Sequence, residues 1–249
     1  MAVHFLSYGD GNYTERKNII VQEVLDAKLD PPIDKTYAWD RSNIPEFYNT
    51  HQEIMDNLPC SGRFIWKPYI ILKMLNRIPE NDYLIYLDSG STIINKGEFK
   101  ESRENRYKEY FEFLKDAKCP ILGFAPVQEK DWSYYYTQRD AKHDPQLLNR
   151  YDLNHDDFLD SAGMEAGFLL MKNDYRVREA IQFWLDLMTE NSCYNTKTAN
   201  SADQGLLNIM FWIFGCVMLI HLDFYGIGPF FAARFTDQGQ KEGWHLPII

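Results

Sequence analysis

The chain has 249 residues, 45% of them apolar and 25% charged, with 26 basic residues against 36 acidic ones and a net charge of −10. This composition is ordinarily globular and excludes long disorder, collagen-like repeats and coiled coil, while the length means one large domain or two small ones. No Lys/Arg-dense run concentrates positive potential, which excludes sequence-general nucleic-acid binding but leaves room for a small anionic ligand such as a nucleotide.

Val3 to Tyr8 is a short apolar run closed by Gly9-Asp10-Gly11 and predicts a strand and turn. Asn12 or Thr14 then caps a helix in which Ile20, Val21, Val24 and Leu25 recur at helical spacing up to Ala27, where Pro31-Pro32 forbids continuation. A second strand is predicted over residues 35–39. Ser42 or Asn43, with Pro45 just inside, starts a helix whose inward face is Phe47, His51, Ile54, Met55 and Leu58. Pro68 lies in the first turn of the next helix, which carries Ile70, Ile71, Met74, Leu75 and Ile78 inward. Residues 82–88, DYLIYLD, form a nearly continuous apolar strand ending in an acid, the pattern of a strand buried on both faces of a mostly parallel sheet.

Residues 103–118 read as a charged surface helix and 121–127 as a strand. From 128 to 160 the chain is rich in Tyr, Asp, Asn and Gln with weak periodicity, which predicts an irregular surface region. A strand over 167–172 follows, then a helix capped by Asn173 or Asp174 with Val177, Ala180, Ile181, Trp184, Leu185 and Met188 as its stripe. The most apolar segment, 206–220, is interrupted by Asn208 and Gly215 and falls short of the ~20 residues of a membrane span, so it reads as a buried helix and a strand. No linker divides this order of elements, and the expectation is a single α/β domain.

The 38 aromatic residues are first of all core material, although their rings also stack on sugar faces. Cys60, Cys119, Cys193 and Cys216 form no C-x-x-C pair, so neither a zinc cluster nor a dithiol motif is spelled. The opening MAVHFLSYGD has no basic leader or apolar stretch, which gives a cytoplasmic chain with reduced thiols as the default expectation.

Ligands of open α/β sheets bind outside the carboxyl ends of the strands, which singles out Asp88. A carboxylate beside the small turn Ser89-Gly90-Ser91 suits a hard cation, Mn²⁺ or Mg²⁺, and equally suits capping the turn through its own oxygen; on local sequence the second reading leads.

Four ordered segments, GRFIWKPYIILKML, NDYLIYLDSGSTI, MEAGFLLMKN and SADQGLLNIM, together with the opening HFLSYGDGNY, resemble glycosyltransferases of the GT-A fold, particularly a group from large algal viruses and bacterial surface-polysaccharide loci. The resemblance implies a Rossmann-like domain with a mixed, mostly parallel sheet, residues 1–127 forming a nucleotide-sugar-binding half and 128–249 an acceptor-side half. It also implies hexosyl or pentosyl transfer from a UDP- or GDP-sugar to a glycan or glycoprotein, in the host cytoplasm if the chain is viral. The family's metal motif is Asp-x-Asp; here Asp88-Ser89-Gly90 keeps only the first acid, so His245, ahead of the rival His221, is the expected second metal ligand. The resemblance assigns donor binding to Ser7, Tyr8, Gly9, Trp66, Lys67, Asp88 and Gln204. Lys67 beside a helix start suits a diphosphate, and also suits an ordinary surface lysine. Asp203 and Glu165 border sugar and acceptor, where a carboxylate takes the acceptor proton or stabilises an oxocarbenium-like centre; either also has a structural use, Asp203 as a helix cap and Glu165 as an arginine partner. Two rival expectations are a silent nucleotide-sugar or glycan-binding module of the same fold, motivated by the missing acid, and peripheral membrane contact through the aromatic-apolar stretch 206–231.

Overall fold

The strand patterns assemble into one six-stranded sheet in a computed structural model that describes residues 1–95, 97–125, 137–139, 143–190, 202–220 and 228–231. In chain order the strands are β1 (Val3–Tyr8), β2 (Lys35–Trp39), β3 (Tyr83–Leu87), β4 (Thr92–Ile93), β5 (Cys119–Ala125), β6 (Glu165–Lys172), β7 (Cys216–Ile220) and β8 (Phe230–Phe231). The main sheet has the order β2-β1-β3-β6-β5-β7, and β4 pairs with β8 separately. All neighbours in the main sheet are parallel except β6, which runs antiparallel to both β3 and β5. The expected mixed, mostly parallel α/β sheet is therefore the one observed.

The helices are α1 (Thr14–Ala27), α2 (Pro45–Thr50), α3 (Gln52–Asn57), α4 (Pro59–Arg63), α5 (Trp66–Leu75), α6 (Lys100–Lys115), α7 (Pro145–Arg150), α8 (Asp156–Leu159), α9 (Tyr175–Thr189) and α10 (Ala202–Phe214). Side chains alternate across each strand. Leu6, Tyr8, Leu84, Tyr86, Leu169 and Met171 share one core with α5, α9 and α10, while Phe5, Ile85, Leu87, Phe124, Phe168 and Leu170 share the other with α1 and α6. The second core is built on rings: Phe124 stacks on Phe168 at 4.5 Å, and Tyr110 and Phe230 lean on Phe168. Full burial of one such ring contributes roughly 1.5–3 kcal/mol. Most described aromatics are core material, which was their first reading.

Local chemistry accounts for the boundaries. The Asp174 carboxylate accepts the Val177 N–H at 2.8 Å and starts α9. Its neighbour Asn173, the other candidate cap, instead donates from Nδ2 to the carbonyls of Leu75, Ile78 and Pro79 and closes the end of α5. Three expectations need correction. The expected caps are not made: α1 starts from Tyr13 and α2 from Ile44, neither with a side-chain cap bond, so Asn12 or Thr14 and Ser42 or Asn43 do not cap them. The helix expected across 45–58 breaks at His51, which separates α2 from α3. The region 128–160, expected to be irregular surface, contains α7 and α8, which bury Leu147, Leu148 and Phe158. Their start signals are real, Asp144 capping ahead of Pro145 and the His155 ring accepting the Phe158 N–H, but helices of six and four residues are too short to show a period.

Candidate functional site

The reversed direction of β6 fixes the geometry of the site. β1 and β3 end where β6 begins, so Tyr8, Asp88, Glu165 and Ala166 lie at one edge of the sheet; the Asp88 N–H donates to the Gly167 carbonyl at 2.8 Å. Two helix starts close on that edge, α5 with Trp66 and Lys67, and α10 with Asp203.

Lys67 is the centre. Its side chain is 1% exposed, and its ammonium donates to Asp203 Oδ2 at 2.9 Å and to the Ala166 carbonyl at 3.0 Å. Longer contacts, 3.2 and 3.4 Å, lead to the two oxygens of Asp88. Burial by itself would lower the lysine's pKa, but Asp203 and then Asp88 outweigh it and hold the ammonium above its usual range. Asp203 is 5% exposed, and the Trp184 indole N–H donates to its carbonyl at 3.1 Å, which fixes the first turn of α10. Asp88 is 35% exposed and forms the open side of the cluster. Tyr86, on the same face of β3, donates its hydroxyl to Asp88 Oδ1 at 2.5 Å; burial and the neighbouring carboxylate push that phenol's pKa far up, so it stays a donor.

The segment leading into α5 is unusual. Ser61, Gly62, Arg63 and Phe64 have φ of 50°, 77°, 52° and 66°, one left-handed turn that side-chain-bearing residues rarely adopt. A Cβ on Gly62 would lie 3.0 and 3.1 Å from side-chain methyls of Ile65 and Ile54. The turn delivers Phe64 beneath the Lys67 ammonium, 4.8 Å from its ring centre.

Of the expected site residues, the structure brings Lys67, Asp88 and Asp203 into direct contact. Tyr8 and Trp66 stack at 4.0 Å beside them, both buried; the Trp66 indole N–H finds no hydrogen-bond partner among the described residues, and the Tyr8 phenol lies beside the Arg41 guanidinium. Burial and nearby Asp10 push the Tyr8 phenol up. Glu165 opens β6 at the same edge, and Gln204 follows Asp203, its carbonyl accepting from Asn208. Ser7 does not join them: strand alternation turns it to the face shared with Phe5, against α1. The close approach that Gly9 permits is to its own chain, since a Cβ there would lie 2.2 Å from the Tyr13 carbonyl oxygen. His245 and its rival His221 lie outside the described residues.

Sequence reasoning missed three participants. Tyr86, two positions before Asp88, was findable from the strand period alone. Arg16 on α1 donates to the carbonyls of Ser89 and Ser91 at 3.2 and 2.7 Å, a contact across 73 and 75 residues. His143 packs near the first turn of α10, its Nδ1 3.6 Å from where a Gly205 Cβ would be, while Nε2–H donates to Gln138 Oε1 at 2.8 Å. Burial lowers its pKa to about 4.

Among the described residues the donor set for the expected divalent cation is incomplete, and its expected second ligand, His245, lies outside them. Both Asp88 oxygens face Lys67, one also takes the Tyr86 hydroxyl, and the carbonyls of the following turn are engaged by Arg16. Among the described residues no group of three His, Cys, Asp or Glu side chains is placed to hold a metal ion. A hard cation needs several oxygen ligands at once, and the described residues do not assemble them.

No family model and no curated protein sequence matches the chain. Solved structures do. A glycosyltransferase involved in the glycosylation of the major capsid of PBCV-1 aligns with a TM-score of 0.52 at 12% identity, over 97% of this chain and 99% of that one. The galactosyltransferase LgtC, in complex with donor and acceptor sugar analogs, aligns at a TM-score of 0.47 and 14% identity over 86% and 72% of the two chains. Mouse xyloside xylosyltransferase 1 aligns at 0.46 and 10% over 90% and 87%. At such identities the shared property is the fold, and the alignment over nearly the whole of the capsid glycosyltransferase bears out the GT-A-like α/β fold implied by the sequence.

Proposed function

We propose that the chain is a glycosyltransferase that moves a hexosyl or pentosyl group from a nucleoside-diphosphate sugar, UDP- or GDP-linked, to a glycan or glycoprotein acceptor. The observation that carries this reading is the buried Lys67 ammonium, held by Asp203 and the Ala166 carbonyl and joined to half-exposed Asp88 by its longest contacts. A diphosphate oxygen entering from the Asp88 side exchanges for those weak contacts and meets a fixed cation in a low-dielectric setting, where such a charge acts most strongly on a leaving group. Trp66 offers beside it an indole N–H without a partner among the described residues, suited to the donor's polar groups. Asp203 is the carboxylate assigned to the sugar centre, as base or as electrostatic stabiliser, and Glu165 is the second acid toward the acceptor. In this reading residues 1–127 bind the donor and 128–249 face the acceptor, with Lys67 and Asp203 joining the halves. No step is routed through a metal ion.

The test is a thermal-shift titration of the whole chain with UDP-, GDP- and CDP-sugars, in EDTA and in Mn²⁺, followed by assays of donor hydrolysis and transfer. Stabilisation by one nucleotide family, with turnover that Asp203→Asn removes, is expected. A shift seen only with Mn²⁺ would return Asp88 to the part of cation ligand. Binding without turnover would point to the silent module, and neither binding nor turnover from a folded chain would end the reading.

A further inference from the structure

Cys119 opens β5 and Cys216 opens β7, and in the parallel pairing of those strands the two residues are Cα partners, with a register shift between them and the next pair, Leu122 and Val217. Neighbouring strands lie about 4.7–4.9 Å apart. That separation falls inside the ~4.4–6.8 Å Cα window that a disulfide requires. Both side chains leave the sheet on the face packed by α9 and α10, and the Cys216 thiol lies within electrostatic reach of Cys119. Their other contacts are few and weak: Cys119 Sγ lies 3.9 Å from the Arg176 carbonyl, and Cys216 Sγ lies 3.9 Å from the Met210 thioether. Both are free thiols. Cys119 is 1% exposed and Cys216 is half-buried, so Cys216 is the more accessible of the two.

We propose that Cys119 and Cys216 are a dithiol modification site that a low-molecular-weight disulfide, such as oxidised glutathione, closes into a cross-strand disulfide. Cys216, as thiolate, attacks one glutathione sulfur; a mixed disulfide forms and one glutathione thiol leaves. Cys119, as thiolate, then attacks Cys216 Sγ, the Sγ–Sγ bond forms and the second glutathione thiol leaves. Two protein thiols are oxidised, one small disulfide is reduced to two thiols, and the two protein protons end on the released glutathiones. The first step is slow, because burial holds the Cys216 thiol well above its ordinary pKa and leaves little thiolate at neutral pH. The second is fast, because strand register has already placed the partner. Closure ties the start of β7, just beyond α10, to the start of β5, and so encloses the segment that carries β6, α9 and Asp203. A loop of that length, closed in the unfolded chain, raises the melting temperature. No Cys-x-x-Cys spacing announces the pair, because sheet register and not sequence proximity makes it.

The experiment oxidises the folded chain with a series of oxidised glutathione concentrations, traps residual thiols by alkylation and maps the peptides by mass spectrometry. It is run on the wild type and on the Cys60→Ser, Cys193→Ser double variant, so that a folding failure of the variant leaves the wild-type map intact. A linked Cys119–Cys216 peptide is expected, two hydrogens lighter than its parts, with a rise in melting temperature that dithiothreitol reverses. In Cys216→Ser, Cys119 is expected to stay an unmodified thiol. Linkage only after denaturation, a persistent glutathione adduct on Cys216 without linkage, or two thiols unchanged across the series would each overturn the proposal.

Discussion

Two polar clusters occupy the same pair of strands, β1 and β3, at opposite ends, and they are finished to different degrees. At the amino end the Asp82 carboxylate accepts from His4 Nε2 at 3.1 Å and from the Ala2 N–H at 2.8 Å, with the Tyr37 hydroxyl 3.4 Å from the other nitrogen of His4. Asn173 completes that end, its N–H donating to the Asp82 carbonyl and its amide nitrogen to three carbonyls at and just beyond the end of α5. At the carboxyl end Lys67 and Asp203 are equally buried, yet Asp88 is a third exposed and the Trp66 indole N–H has no partner among the described residues. Buried polar groups are nearly always paired, so a saturated cluster serves the fold and an unsaturated one holds capacity for a ligand.

The comparison is broken hardest at Lys67. Lys67→Met keeps the length of the side chain but leaves Asp203 buried without its cation, and a loss of about 3–5 kcal/mol in urea unfolding is expected together with loss of nucleotide-sugar binding. An unfolding free energy within 1 kcal/mol of wild type, on the order of the error of such measurements, would show that the pair is solvated and the cluster looser than described.

Proton titration separates regions of the molecule. His143 titrates at about 4 in the fold and at about 6.5 in the unfolded chain. A depressed histidine means that the unfolded chain binds more protons between these values, so stability is full above pH ~6.5, falls as pH drops to ~4 and is then level, by on the order of 3 kcal/mol. His143→Gln should flatten that slope. Asp82 acts lower. Burial would lift its pKa, but the Ala2 and His4 hydrogen bonds bring it below the ordinary carboxylate range, so its contribution is present above pH ~4 and lost only as pH falls through its depressed value. Unfolding free energy followed from pH 8 to 3 would reveal both phases.

At the amino end, Asn173→Ala is expected to cost about 2 kcal/mol by stripping three carbonyls of one shared donor, with nucleotide-sugar affinity unchanged in the folded fraction. The smallest effect on stability, under about 1 kcal/mol, is expected for Asp88→Asn, since the carboxylate is a third exposed. Calorimetry should show the nucleoside diphosphate binding this variant more tightly in EDTA, because a negative charge has been removed from the approach to Lys67. Weaker binding would mean that Asp88 itself is needed to receive the phosphates.

How far the sequence carried depends on the range of the interaction. β1, β2, α1 and the Asp174 start of α9 were legible because a strand's alternation, a helix's stripe and a cap are written within a few residues. The site was legible in part: Asp88 was placed by the end of an apolar strand, while Lys67 and Asp203 came from the resemblance. That they touch was not legible, nor that β6 runs backwards, nor that Arg16 occupies the turn after Asp88. Each is decided by packing between elements far apart in sequence. At Gly9 the lack of a side chain has a use within the chain that was not legible either, since a Cβ there would meet the Tyr13 carbonyl.

The Lys67–Asp203 pair also bears on the order of folding. Its partners are 136 residues apart. Contacts of that separation carry the full entropy of loop closure and form late, after local helices and neighbouring strands have found each other. Until α10 docks, Lys67 keeps its water and the edge of the sheet stays open. On the proposed function, a nucleotide-sugar analogue added during refolding should engage only chains in which α10 has docked.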